Sequence, residues 1–113
     1  MKMIIAIIQP NRLEEVLDAL YAVDINLVTV SEVMGHGRQK GVTTVYRGVK
    51  EMGNLLRKIR LDIAVNDDYE KIVVKAILKG AKTGELGDGK IFIIDLDKCI
   101  RIRTEEDGPS AIG

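Results

Sequence analysis

Two stretches of the chain combine glycine with cations in a way suited to holding an anion. The first is Gly35-His36-Gly37-Arg38-Gln39-Lys40-Gly41. Glycine lets the main chain approach a phosphate closely, and Arg and Lys supply charge-assisted donors. The second is Thr83-Gly84-Glu85-Leu86-Gly87-Asp88-Gly89-Lys90-Ile91. Gly84 with Gly89-Lys90 fits the start of a GxxxxGK phosphate loop, but Ile91 stands where Ser or Thr is required. The direction is also reversed, since this loop leaves a predicted helix and enters a predicted strand, so no helix N-terminus faces the phosphates. A Walker nucleotide site is therefore rejected. The remaining possibilities are a plain turn at Gly87-Asp88-Gly89 or a nest of main-chain N–H groups beside Lys90. Downstream, Arg101 and Arg103 point the same way if Ile100 and Ile102 face the core. These three cations favour a polyphosphate partner.

The loops need a frame to bring them together. Met1 to Ile8 is almost wholly long or β-branched aliphatic and ends at Pro10, which reads as a buried strand. Asn11 with Glu14 resembles a capping pair for a helix carrying Leu13, Val16, Leu17 and Leu20. Strands are predicted from about Leu27 to Val33 and from Ile59 to Val65. Asn66-Asp67-Asp68 supplies capping side chains for a second helix with the stripe Tyr69, Ile72, Val73, Ala76 and Ile77, and Lys90 to Ile94 is a fourth strand. The order β-α-β-β-α-β is the split βαβ of the ferredoxin-like α+β fold.

In that fold the helices cover one sheet face, yet the first and fourth strands are apolar on both faces. At about 25 cal/mol per Å² of apolar surface, leaving the second face wet is costly against a small net stability. A second copy of the chain is expected to cover it; the alternative is that Leu96 to Thr104 folds over it. Between strands two and three lie 24 residues, Gly35 to Lys58, without periodicity. Connections longer than about 12 to 15 residues are usually functional or disordered. This one holds Arg38, Lys40, Arg47, Lys50, Arg57 and Lys58 against Glu51, six cations to one carboxylate, a net +5 that leaves −5 for the rest.

Composition bounds the rest. The chain has 113 residues, 46% hydrophobic and 30% charged, with 17 Lys+Arg balancing 17 Asp+Glu. That is one soluble globular domain with room for one core. Overall neutrality gives no reason to expect nucleic acid or anionic lipid. No run approaches the roughly 18 apolar residues of a membrane span, and Met1 to Ile8 is too short for a signal peptide. The single cysteine, Cys99, excludes an internal disulfide and a CxxC site and suits a reducing cytoplasm. His36, the only histidine, is read as a loop residue, and Glu105 to Gly113 as a mobile tail.

Over essentially its whole length the chain resembles the PII nitrogen-regulatory proteins, the GlnB/GlnK group, and most the GlnK branch. The residues that carry the likeness are Gly37-Arg38-Gln39-Lys40-Gly41, Tyr46-Arg47-Gly48, Thr83 with Gly87-Asp88-Gly89-Lys90-Ile91-Phe92, and Arg101-Ile102-Arg103-Thr104. The resemblance implies a regulatory protein, not an enzyme, in one PII-type domain over 1–113. It also implies a T-loop at about 35–58, a phosphate-binding loop at about 82–90 and a tail at about 105–113. Such proteins are cytoplasmic homotrimers that bind ATP or ADP in clefts between subunits and 2-oxoglutarate together with Mg-ATP. Carried over, the nucleotide meets Thr29, Asp62 and Ala64 at its adenine end. Its phosphates meet Gly37, Arg38, Gly87, Asp88, Gly89, Lys90, Arg101 and Arg103. Gln39 is the implied Mg ligand, its amide oxygen being a hard donor. Gln39, Lys40, Lys58 and Gly87 hold 2-oxoglutarate. Tyr46, Arg47 and Gly48 are the implied partner-binding tip, and the implied partner is an ammonium transporter or another nitrogen-metabolism protein.

The departures narrow this. Glu51 replaces the tyrosine that many members uridylylate and Val49 the serine that others phosphorylate, so no covalent switch is expected at either position. Arg57 stands where a proline is common. A paralogue regulating nitrogenase or another target, with a different effector, is the rival reading. An acylphosphatase-like enzyme is disfavoured because Gln9-Pro10-Asn11-Arg12 has no phosphate-cradling glycine. An RRM-type RNA binder lacks its aromatic platform, since Phe92 is the only Phe and Trp is absent.

Overall fold

A computed structural model describes residues 1–36 and 55–113. Strand β1 (Lys2–Ile8) leads through a 3-10 turn at Pro10–Arg12 into helix α1 (Leu13–Tyr21). Strands β2 (Thr29–His36) and β3 (Leu55–Val65) follow, then a second 3-10 turn at Asp67–Tyr69, helix α2 (Glu70–Ala81) and strand β4 (Lys90–Asp95). The four strands form one antiparallel sheet in the order β2-β3-β1-β4. This is the expected ferredoxin-like α+β order, with β2 and β3 longer than their aliphatic runs. Pairing continues through Gly35↔Leu56 and His36↔Leu55, so both ends of the predicted long connection are strand.

The core lies between the helices and one sheet face. Ile4, Ala6 and Ile8 of β1 and Ile59, Leu61, Ile63 and Val65 of β3 are buried against Val16, Leu20, Val73, Ala76, Ile77 and Ala81. Burial of each Val, Leu or Ile among these stabilises by about 1.5–3 kcal/mol. The buried stripe of α2 is Val73, Ala76, Ile77, Gly80 and Ala81, which corrects the predicted one. Tyr69 falls in the 3-10 turn and Ile72 lies one step round the helix from Val73, and both are exposed. A Cβ on Gly80 would come within 2.6 Å of Val16 Cα, so the two helices meet backbone to backbone there.

The expected side-chain caps do not form. Pro10, with its fixed φ, starts a 3-10 turn that includes Asn11 and puts Arg12 at the N-cap of α1. Before α2, Asn66 Nδ2 donates to the Pro109 carbonyl at 3.1 Å, and Asp67 pairs with the Met1 amine at 2.8 Å. Acidic residues in the first turns, Glu14 and Glu15 in α1 and Glu70 in α2, complement the helix dipoles.

Two further expectations are corrected after β4. Residues 96–104 do not cover the outer sheet face, for Phe92 and Ile94 stay half-exposed and Ile102 is 95% exposed. Instead the chain doubles back, Ile100 bridging to Asp107 and Gly108 N–H donating to the Cys99 carbonyl at 3.0 Å. Nor is Glu105–Gly113 a free tail. A 3-10 turn at Pro109–Ala111 buries Ala111, and Ile112 lines a cleft of about 430 Å³ together with Leu27, Ala64, Val65 and Tyr69. The apolar pair Ala111 and Ile112, with the Asn66 bond, gives the segment enough contact to stay docked.

Candidate functional site

The antiparallel register sorts the predicted site residues by face. Residues directly opposite one another share a face, so alternation places every second residue of β3 on the side away from the helices. There Thr29, Asp62, Ile5 and Phe92 form one cross-strand row, and Ser31, Arg60, Ile7 and Lys90 the next. Ala64, Met3 and Ile94 form a third, and Lys58 sits opposite Val33. Thr29, Asp62, Ala64, Lys58 and Lys90 are thus brought to one surface, half of it polar and half aliphatic.

The loop from α2 to β4 closes over the Lys58 and Lys90 end. Asp88 organises it: its carboxylate accepts from Thr83 N–H at 2.8 Å, Gly84 N–H at 2.9 Å and the Thr83 hydroxyl. The Thr83 hydroxyl bond, followed by the two main-chain bonds, holds the Asp88 carboxyl below its ordinary range. Asp88 therefore serves the loop with its side chain and can offer an anion only its main-chain N–H. Gly84, Gly87 and Gly89 all take positive φ, which suits glycine. Lys58 Nζ donates to the Gly87 carbonyl at 3.0 Å, joining β3 to the loop. Gly89 lies hard against β1, where a Cβ would come within 1.7 Å of the Ile7 carbonyl oxygen.

The two downstream arginines are placed differently from the expectation. Because Ile100 and Ile102 are exposed, the alternation that would aim Arg101 and Arg103 at Lys90 does not hold. The Arg101 side chain bonds instead to Glu106, at 2.6 Å, and to the Ser110 and Gly113 carbonyls. Arg103 is exposed and makes no ion pair among the described residues. Gly37, Arg38, Gln39, Lys40, Tyr46, Arg47 and Gly48, with Val49 and Glu51, lie outside the described residues.

One charged residue of this face escaped the sequence reading. Arg60 stands between Lys58 and Asp62, opposite Ser31, and grips Asp62 with Nε at 3.1 Å and Nη2 at 3.0 Å. The signal was the period-two run Lys58-x-Arg60-x-Asp62, which puts three charges on one side of a strand whose other side is aliphatic. Arg60 neutralises Asp62 and fixes its orientation, leaving carboxylate lone pairs to accept from a ligand hydroxyl.

The family model described as Nitrogen regulatory protein P-II matches residues 1–106. This chain belongs to the P-II nitrogen-regulatory family. It is 50% identical over 112 residues to the Nitrogen regulatory protein P-II 2 of Methanothermobacter thermautotrophicus, covering 99% of this chain and 97% of that one. It is 46% identical over 114 residues to Nitrogen regulatory protein GlnK1 of Methanosarcina mazei, with 99% and 97% covered. The Escherichia coli K12 Nitrogen regulatory protein P-II 1 is 48% identical over 112 residues, with 99% and 100% covered. A crystal structure of Arabidopsis thaliana PII bound to citrate superposes with a TM-score of 0.81 at 35% identity, covering 97% of this chain and 90% of that one. This P-II chain is accordingly a nitrogen-regulatory signal transducer and not an enzyme. Among its described residues no helix is long and apolar enough to cross a membrane, and no group of three His, Cys, Asp or Glu side chains is placed to hold a metal.

Proposed function

We propose that this P-II chain senses ATP or ADP together with 2-oxoglutarate, and that the ligand state sets the conformation of the β2–β3 connection, its T-loop, to control a partner. The observation that carries the reading is the Lys58 bond to Gly87, which sets a cation and a glycine-rich loop together on the face that also bears Thr29, Asp62, Ala64 and Lys90. The phosphates would meet main-chain N–H groups of Gly87, Asp88 and Gly89 with Lys90, and with Arg101, Arg103, Gly37 and Arg38. Asp62, oriented by Arg60, suits a ribose hydroxyl beside Thr29 and Ala64.

Lys58 is a cation for a 2-oxoglutarate carboxylate, with Gln39, Lys40 and Gly87 completing that site. The citrate bound by the Arabidopsis relative is likewise a small polycarboxylate. Mg would be held by Gln39, whose amide oxygen is a hard donor, with the ligands' own oxygens. Bound there, the ion would supply positive charge that offsets the phosphate and carboxylate charges. The half-exposed Phe92 and Ile94 on this face support its being covered by neighbouring copies, which we read as a homotrimer, in the cytoplasm. Tyr46-Arg47-Gly48 is the proposed partner-binding tip, toward an ammonium transporter or another nitrogen-metabolism protein. A ligand shifts a loop equilibrium only by its differential affinity for the two states. Residues on the loop stems, Lys58 among them, are where that difference would arise.

Calorimetry tests the reading directly, with ATP, ADP, and 2-oxoglutarate added with and without Mg-ATP. Saturable nucleotide heat, and 2-oxoglutarate heat that requires Mg-ATP, are expected. Nucleotide binding without 2-oxoglutarate heat would move the chain to a P-II paralogue with another effector, and no nucleotide heat would overturn the proposal.

A further inference from the structure

The Arg101 guanidinium is already occupied within its own chain. Nη1 pairs with Glu106 Oε1 at 2.6 Å, while Nη2 donates to the Ser110 carbonyl at 3.1 Å and to the Gly113 carbonyl. The Ser110 hydroxyl also donates to Glu106 Oε2 at 3.2 Å, so one carboxylate holds both the arginine and the segment that caps it. A guanidinium binds a phosphate best through two parallel N–H bonds. Its two forks, Nε with Nη2 and Nη1 with Nη2, share Nη2. With Nη2 committed to two carbonyls, neither fork is free.

The segment that occupies Nη2 is the one that docks beside Ala64. Asn66 holds it through the Pro109 carbonyl, Ala111 is buried, and Ile112 lines the cleft with Ala64 and Leu27. Arg101, a predicted phosphate contact, is therefore bonded to the segment that walls the predicted base end.

We propose that the Glu106–Gly113 segment is an internal competitor for a ligand's phosphates: it holds Arg101 closed until a phosphate takes Nη2, and that exchange releases residues 110–113 from the cleft beside Ala64. The proposal rests on the nucleotide reading above. Glu106 is a positioning residue, which keeps Nη1 while Nη2 changes partner. The consequence is that tail docking and nucleotide binding oppose one another, so weakening the docking strengthens binding.

Two full-length variants test this. Ala111→Asp puts a carboxylate where the segment is buried, and Asn66→Ala removes its tether; neither touches the proposed phosphate contacts. Both are expected to bind ATP about three- to tenfold more tightly than the unmodified chain, the range expected when docking is weakened by about one neutral hydrogen bond such as that from Asn66 to Pro109. In the unmodified chain, ATP is expected to speed amide exchange at Ala111 and Ile112 at least severalfold. Without ATP, Arg101→Lys is expected to do the same, because the ammonium cannot hold two carbonyls in a planar fork. Unchanged or weaker ATP affinity in both variants overturns the proposal, as does ATP binding with unchanged exchange at those amides, while the nucleotide reading stands. Absence of ATP heat in the unmodified chain overturns both.

Discussion

Lys58 Nζ reaches the Gly87 carbonyl at 3.0 Å and thereby ties the stem of the long β2–β3 connection to the glycine loop before β4. Through this bond an event at the glycine loop can be felt where the connection begins. Lys58→Met keeps the aliphatic stem and removes the donor. Its expected effect is faster amide exchange from Gly84 to Gly89, with little change in melting temperature. Nucleotide affinity is expected to fall by about tenfold, the size of one lost bond to a charged group. Calorimetry beside exchange measurements checks it; unchanged loop exchange would show that the bond does not order the loop.

Two glycines of that loop separate backbone strain from crowding. Gly84 has φ +88 with nothing within 4 Å of a built Cβ, whereas Gly89 has φ +99 and a Cβ that would meet the Ile7 carbonyl oxygen at 1.7 Å. Gly84→Ala is expected to cost about 1 kcal/mol, the price of a left-handed alanine. Gly89→Ala is expected to cost more than about 3 kcal/mol, because β1 and the loop cannot both keep their positions. Urea denaturation of the two variants should rank them in that order.

The same loop carries a pH dependence. Hydrogen bonds from Thr83 and Gly84 lower the folded-state pKa of Asp88 from its ordinary 3.8. A carboxylate with a depressed folded pKa contributes order that is fully present above the unfolded pKa and is lost as pH falls through the folded one. The Thr83 and Gly84 amide resonances are therefore expected to titrate together, with a midpoint below 3.8. Asp88→Asn should abolish that step. A midpoint at or above the ordinary value would contradict the bonding.

Arg60 and Glu106 show what the sequence could and could not convey about this site. Strands and helices were legible because aliphatic period and loop composition are local, and from them the α+β order follows. Arg60 was legible too, through the alternation of β3, but a glycine-and-cation pattern draws attention to loops and away from strand faces. The pairing of Arg101 with Glu106 was not legible, since it needs the reversal at Ile100 and Asp107, which no local period encodes. Gly80 likewise reads only as a poor helix residue until Val16 is seen against it. The caps failed as expectations because Pro10 set the helix entry first and Pro109 was a competing partner for Asn66.

Phe92 and Ile94 give the most direct test of assembly. They are 48% and 52% exposed on a sheet face that the chain's own C-terminal residues leave open, with Met3, Ile5 and Ile7 beside them. A second and third copy covering the face would remove that apolar surface from water once per subunit, which multiplies a modest gain per side chain at about 25 cal/mol per Å². Phe92→Glu sets a carboxylate in the row of Asp62, two strands away, where burial without a partner would cost several kcal/mol. In sedimentation equilibrium the unmodified chain is expected to run as a trimer and Phe92→Glu as a monomer with the same far-UV spectrum. Because the helix face carries the core, the variant should still fold, so loss of assembly can be read apart from loss of structure. An unmodified chain that sediments as a monomer at micromolar concentration would remove the trimer from the proposal and leave the nucleotide face to be completed within one chain.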